Sequence, residues 1–219
     1  MVQNQENAHF NMLEQQVRPS EVLDHKVLAV LKQLKRTDFL DESLSGIAYA
    51  DTALPIGHGQ MMLPAILQGR MLQALAIQED ECVLEVGTGS GYLTALLSLL
   101  AQHVTTVEIV PELSALAQQN IQGYGFDNIT YCVGDASQGW ALSDRVDVIV
   151  LTAAFVAVPD DYRQMLKVGG RLLAVVGQGQ NMRVQLTRRL AEREWQTETV
   201  LETVIPAVIN AEPKPEFEF

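Results

Sequence analysis

The sequence predicts an α/β protein built on a mostly parallel sheet with helices on both faces, and three observations carry that prediction. From Cys82 to Gly177, short apolar runs alternate with segments of helical periodicity. The first run leads directly into a glycine-rich turn, "EVGTGSGY", that opens a helix. The chain also has 219 residues, 47% of them hydrophobic, enough for one large core with additions.

The elements follow in order. Asn4 to Val17 has a helical pattern that Arg18-Pro19 ends, and Asp24 reads as the N-cap of "HKVLAVLKQL". Between Thr37 and Gly59 lies an irregular stretch rich in Asp, Ser, Gly and Pro. Leu63, Ile66, Leu67, Met71 and Leu75 then recur at helical spacing up to Ile77. A shift in composition near Gln78 to Glu81 separates a helical and loop extension over 1–78, which should cover the cleft, from an α/β core over 79–180. In that core "CVLEV", "VTTVEIV", "NITYCVG", "VDVIVLTAA" and "GGRLLAVVG" read as strands, with helices at "GTGSGYLTALLSLLA", "PELSALAQQNIQ" and "VPDDYRQMLK". Residues 181–219 complete the same sheet. There "RVQLTRRLAEREWQTETVLETVIPAVI" gives two β-like runs around a polar turn, an antiparallel hairpin on the sheet edge, and the tail "AEPKPEFEF" has no assigned structure.

Composition narrows the function. Twenty-seven acidic against 15 basic residues give a net charge of -12, with Lys and Arg scattered, so nucleic acid is an unsuitable partner. The N-terminus has neither a basic n-region nor an apolar core, and no run approaches the roughly 18 apolar residues of a membrane span. A cytoplasmic protein is expected. Cys82 and Cys132 lie within apolar strands away from any metal-ligand pattern, and read as buried free thiols; no metal is expected.

In the turn, Gly87, Thr88, Gly89 and Ser90 sit between a strand and a helix N-terminus, where backbone approaches a ligand closely and N–H groups point at it. No lysine follows, so the turn is not a Walker loop. Gly91 comes four rather than five positions after Gly87, which makes NAD a poorer fit. The pattern E-x-G-x-G-x-G, with Glu85 before the loop, is that of S-adenosylmethionine-dependent methyltransferases. Two more acids stand at successive strand ends. Glu108, 21 residues beyond Gly87, can accept both ribose hydroxyls, though that feature alone suits NAD equally. Asp135 can accept from an adenine amino group, with Ala136 leaving room beside the ring. Thr152, in "LTAA", is expected at the fourth strand end near the transferable methyl.

With these residues in place the chain resembles the protein-L-isoaspartate O-methyltransferase family over nearly its whole length. "EQQVRP", "YADTALPIGHGQ", "VLEVGTGSGYLTALL", "GDASQGW", "DVIVLTAAFVAVP" and "LKVGGRLLAVVG" carry the resemblance, and "PIGHGQ" and "LTAA" are its most specific parts. It implies a Rossmann-like, seven-stranded methyltransferase sheet with its last strand antiparallel. It also implies S-adenosylmethionine held at Gly87, Glu108, Asp135 and Ala136, and a substrate cleft roofed by residues 57–63. The implied reaction is methyl transfer to the α-carboxylate of an isoaspartyl residue, a first step in protein repair. A carboxylate is already ionised at neutral pH, so the lack of a Ser/His/Asp set or metal cluster fits.

The resemblance also exposes a departure. After GHGQ the family reads Thr-Ile-Ser, and its serine hydroxyl holds the reacting carboxylate. Met61, Met62 and Leu63 stand at those positions here, with Pro64 one place early. Loss of that hydroxyl costs roughly 2 to 3 kcal/mol, or about a hundredfold in rate at about 1.4 kcal/mol per decade. Within the cleft stretch His58, Gln60, Met61, Met62 and Leu63, His58 is expected to brace the loop and the two methionines to pack at a helix entrance. Tyr92 and Trp140 read as core or cofactor-rim residues, and Arg188 and Arg189 as a solvated strand edge. Three readings stay open: an isoaspartyl methyltransferase in which another group holds the carboxylate, a methyltransferase for a more apolar or smaller acid, and a noncatalytic S-adenosylmethionine-binding protein.

Overall fold

The computed structural model describes residues 2–211, so of the tail "AEPKPEFEF" only Ala211 falls within the described residues. Helix α1 (Val2–Asn11) widens into a π-helical segment, Met12–Val17, and closes with a 3-10 turn at Arg18–Ser20, after which Glu21 is left-handed. Asp24 caps α2 (His25–Gln33) as expected, accepting from the N–H groups of Lys26 and Val27 at 2.8 and 3.0 Å.

The stretch over 37–59 is less irregular than the sequence suggests. Its end forms a hairpin of β1 (Leu54–Gly57) and β2 (Gln60–Met62). His58 and Gly59 make the two-residue turn, both at positive φ (52° and 71°), the sense that matches strand twist. A left-handed histidine in that turn hides the hairpin from a reading by residue type. Helix α3 (Ala65–Leu75) begins after Pro64. Its C-terminus is held from the sheet by Arg171, whose Nε donates to Leu75 O at 2.5 Å and Nη2 to Ala76 O at 3.0 Å, while the guanidinium also pairs with Glu81.

Seven strands form the main sheet in the order β5-β4-β3-β6-β7-β8-β9. The first five in that order, β5 (Ile129–Val133), β4 (His103–Glu108), β3 (Cys82–Val86), β6 (Val146–Phe155) and β7 (Leu166–Gln178), are parallel. Helices α4 (Tyr92–Leu100), α5 (Pro111–Gln122) and α6 (Asp160–Met165) make the crossovers. Two-residue turns at 179–180 and 192–193 then set β8 (Asn181–Ala191) beside β7 and β9 (Glu194–Glu202) beside β8. The strand running against both of its neighbours is therefore β8, the sixth of the sheet, and the last strand, β9, is antiparallel to β8 alone. β9 reverses again and points with the parallel set.

Two further expectations need correction. Arg189 is fully buried, its guanidinium donating to the carbonyls of Gln164, Leu166, Ala191 and Glu192 and lying 5.3 Å from the Trp195 ring centroid; only Arg188 is solvated. The hairpin turn and the start of β7 present converging carbonyls, and a guanidinium satisfies them at once. Cys82 and Cys132 are free but only half-buried, Cys132 because β5 is an edge strand. The largest core cluster runs from Met12 to Ile205, so the N-terminal helices share apolar packing with α3, α4 and one face of the sheet. Among the described residues no helix is long and apolar enough to cross a membrane.

Candidate active site

The strand order reverses between β3 and β6, and the main pocket opens at the carboxyl ends of these strands, where such a crossover leaves a crevice. It spans about 920 Å³ of space, open mouth and adjoining solvent included. Gly87, Thr88, Gly89 and Ser90 form one wall. Gly87 has φ 96°, and a Cβ there would lie 2.2 Å from the Thr152 hydroxyl, which itself donates to the carbonyls of Val86 (2.9 Å) and Gly87 (2.8 Å). Glycine is what lets β6 touch the turn. Thr152 lines the pocket from β6.

Glu85 does not line the pocket. It is buried beneath the turn, where its Oε2 accepts from Thr94 (2.5 Å) and Thr106 (2.7 Å), and Thr106 is in turn bonded to Thr88 at 2.6 Å. Oε1 has no partner. Burial pushes its pKa up to about 8, against the pull of the two hydroxyls and with a further push from the charge of Glu108. The acid before the loop therefore braces the loop from below.

Glu108 does face the pocket, although its residue is only 5% exposed. Its Oε2 accepts from Gly89 N at 2.9 Å and Oε1 from Val110 N at 3.1 Å. Each oxygen keeps a lone pair, so a diol can still be received. Asp135, at the next strand end, is exposed; bonds from the Ser137 N–H (2.8 Å) and Asn210 Nδ2 (2.9 Å) hold its carboxyl below the usual range. Ala136 lies alongside, its carbonyl accepting from the buried Tyr162 hydroxyl.

Asn210 follows directly on 203–209, a segment that sequence reasoning placed in the hairpin. β9 ends at Glu202, and the chain returns across the sheet's carboxyl edge, where Ala154 N donates to Pro206 O (2.8 Å) and Val208 N to Ala154 O (2.9 Å). Pro206 to Ile209 thereby become pocket wall. Pro206 inside the apolar run "VIPAVI" was the available signal, since proline interrupts a paired strand.

The facing wall comes from the hairpin and α3. Gln60, Met61, Met62 and Leu63 line it together with Ile56 and Gln68. Met62 and Leu63 are also core residues at 3% and 6% exposure, so they pack and line at once. His58 is exposed at the hairpin tip, outside the pocket, and its side chain makes no hydrogen bond among the described residues; the turn carries it away from the cleft. Behind the wall Arg36 is fully buried, and burial lowers its pKa from the ordinary arginine value. It donates to Ala48 O (2.8 Å), Gln68 Oε1 (2.8 Å) and Leu63 O (3.0 Å), and lies 5.3 Å from the Tyr92 ring centroid. Neither Arg36 nor Gln68 stood out in the sequence, since nothing near them marks chemistry. Tyr92 is core and Trp140 packs on Gly134.

A seven-stranded sheet with its pocket at the reversal of strand order, a glycine turn that a side chain would fill, a carboxylate with free lone pairs and, among the described residues of the pocket, no phosphate-binding cation define an S-adenosylmethionine-dependent methyltransferase. The particular family follows from comparison with known proteins. Residues 6–212 match the model of the protein-L-isoaspartate(D-aspartate) O-methyltransferase family, and the chain belongs to that family. Protein-L-isoaspartate O-methyltransferase 2 of Pelobacter propionicus is 34% identical over 96% of this chain and 94% of its own. The protein-L-isoaspartate O-methyltransferases of Magnetococcus marinus (39% identical, 81% of this chain and 78% of its own) and Myxococcus xanthus (46%, 71% and 74%) are also similar. A β-aspartate methyltransferase structure from Plasmodium falciparum, solved with S-adenosyl-L-homocysteine, shares the fold at TM-score 0.80 over 91% of this chain and 97% of its own, with 18% identity.

Proposed function

We propose that this protein transfers a methyl group from S-adenosylmethionine to a carboxylate of a protein or peptide, with the isoaspartyl side of the family's chemistry as the best-supported substrate. Glu108 would hold the ribose hydroxyls, Asp135 and Ala136 the adenine, and Gly87 to Ser90 the amino-acid end. When bound, S-adenosylmethionine supplies an electrophilic methyl on a cationic sulfur. One observation carries the substrate class: among the described residues that line the pocket only Glu108 and Asp135 are ionisable acids or bases, and both belong to the cofactor side. No side chain there is suited to take a proton from the nucleophile, so the nucleophile must arrive ionised, as a carboxylate does at neutral pH. The chain's own work is then binding, alignment and exclusion of water between the glycine turn and the Met62-Leu63 wall.

The apolar wall at 61–63 favours a second reading, a protein that binds the cofactor without isoaspartyl turnover. One experiment separates the two. Calorimetry with S-adenosylhomocysteine should show binding that Glu108→Ala weakens by about 1.5 to 3 kcal/mol, with no binding of NAD. Methyl-labelled cofactor should then give an acceptor whose label is released by mild base, as an ester is. Base-stable label argues against a carboxylate, and cofactor binding without any transfer supports the noncatalytic reading.

A further inference from the structure

We infer that the side-chain amide of Gln68 is the donor that holds the substrate carboxylate in this cleft, a role that rests on the carboxylate reading above. Gln68 lies on the second turn of α3, is 3% exposed, and lines the pocket on the same wall as Leu63. Its oxygen is committed to Arg36 Nη1 at 2.8 Å. That bond fixes which end of the amide faces inward, and Nε2 is left on the other side. Nε2 makes no hydrogen bond among the described residues, and it is not among the fully enclosed polar atoms that lack a partner. With the oxygen held from behind, the N–H groups are the part of this pocket-lining side chain that has no partner among the described residues.

The surroundings favour an anion there. Among the described residues every hydrogen bond of Arg36 goes to a neutral oxygen, on Ala48, Leu63 or Gln68, so the buried cation behind the wall has the charge of Asp51 near it but no hydrogen-bonded carboxylate. Bonding from a guanidinium to the amide oxygen polarises the amide and strengthens its N–H as a donor. Competitors are placed elsewhere. The pocket hydroxyls of Thr88, Ser90, Ser137 and Thr152 lie on the strand-end loops and β6, and the other amide, Gln60, is turned to His58 O at 3.5 Å. Gln68 thus supplies from helix α3 the hydrogen bond that a hydroxyl at position 63 does not.

The test uses the full chain with an isoaspartyl peptide and labelled S-adenosylmethionine. Gln68→Glu keeps an oxygen for Arg36 but turns the inward donor into an acceptor, so a merely structural role survives it. The expected result is a KM for peptide raised about ten- to hundredfold, the range for a hydrogen bond to a charged group, with S-adenosylhomocysteine affinity and melting temperature held at or above wild type. Gln68→Asn, which keeps the amide but draws it back by one methylene, should raise KM without changing cofactor affinity. Peptide KM unchanged in Gln68→Glu, with wild-type protein active, overturns the inference alone. Wild-type protein that binds S-adenosylhomocysteine but neither binds nor methylates the peptide overturns the isoaspartyl reading and the inference with it.

Discussion

Alanine at Gly87 tests how closely strand β6 and the glycine turn are coupled. At φ 96° an L side chain is strained, by about 1 to 2 kcal/mol. The new Cβ would also meet the Thr152 hydroxyl at 2.2 Å, forcing that group to give up its bond to the Val86 and Gly87 carbonyls, worth about 1 kcal/mol. Gly87→Ala should therefore destabilise by about 2 to 3 kcal/mol. The Thr152 Cβ lies 3.6 Å from the same point, an ordinary contact, so alanine at 152, which removes the hydroxyl together with the γ-methyl, relieves the clash. Thr152→Ala alone should cost about 1 kcal/mol, and the double variant should fall short of the sum by about 1 kcal/mol. Urea unfolding of the four proteins reads this directly. Strict additivity would refute the contact as the reason for glycine, leaving backbone strain alone.

Three other outcomes follow from particular side chains. Glu85, lifted to about 8, favours its neutral form in the fold, so the stability it confers is full below about pH 4.5 and is lost as pH rises through about 8. The unfolding free energy of Glu85→Gln should gain on wild type as pH rises through that window, and a pH-independent difference would contradict the assignment. Arg189→Leu strands four carbonyls and should cost about 3 kcal/mol or more, whereas Arg188→Ala should stay within about 0.5 kcal/mol in the same urea titration; equal effects would reverse the burial described here. Asn210→Gly keeps the left-handed backbone (φ 68°) but removes the tie to Asp135, and should weaken S-adenosylhomocysteine binding severalfold by calorimetry while leaving the melting temperature nearly unchanged. Unchanged affinity would place that tie outside the cofactor site.

What the sequence discloses depends on the range of the interaction. The strands at 82–86 and 103–108 and the helix at 111–122 are legible because apolar periodicity, a glycine turn and Pro111 act locally. Glu108 and Asp135 are legible because strand ends in a parallel sheet converge. Glu85 is misread because its spacing places it next to the turn, while the pleat of β3 sends it under the turn toward Thr94 and Thr106. Arg36 and Gln68 are 32 residues apart and meet only through tertiary packing, so no spacing rule finds them. Arg189 looked solvated because strand alternation says nothing about which carbonyls the next turn will present.

The most direct measurement of the account is methyl transfer from labelled S-adenosylmethionine to a peptide pair that differs only in carrying isoaspartate or aspartate at one site. Label is expected on the isoaspartyl peptide alone, lost on mild base treatment, with a faster reaction in Leu63→Ser only if the serine adds to what Gln68 already provides. Intact S-adenosylhomocysteine binding with no label on either peptide, in wild type and Leu63→Ser alike, would contradict it.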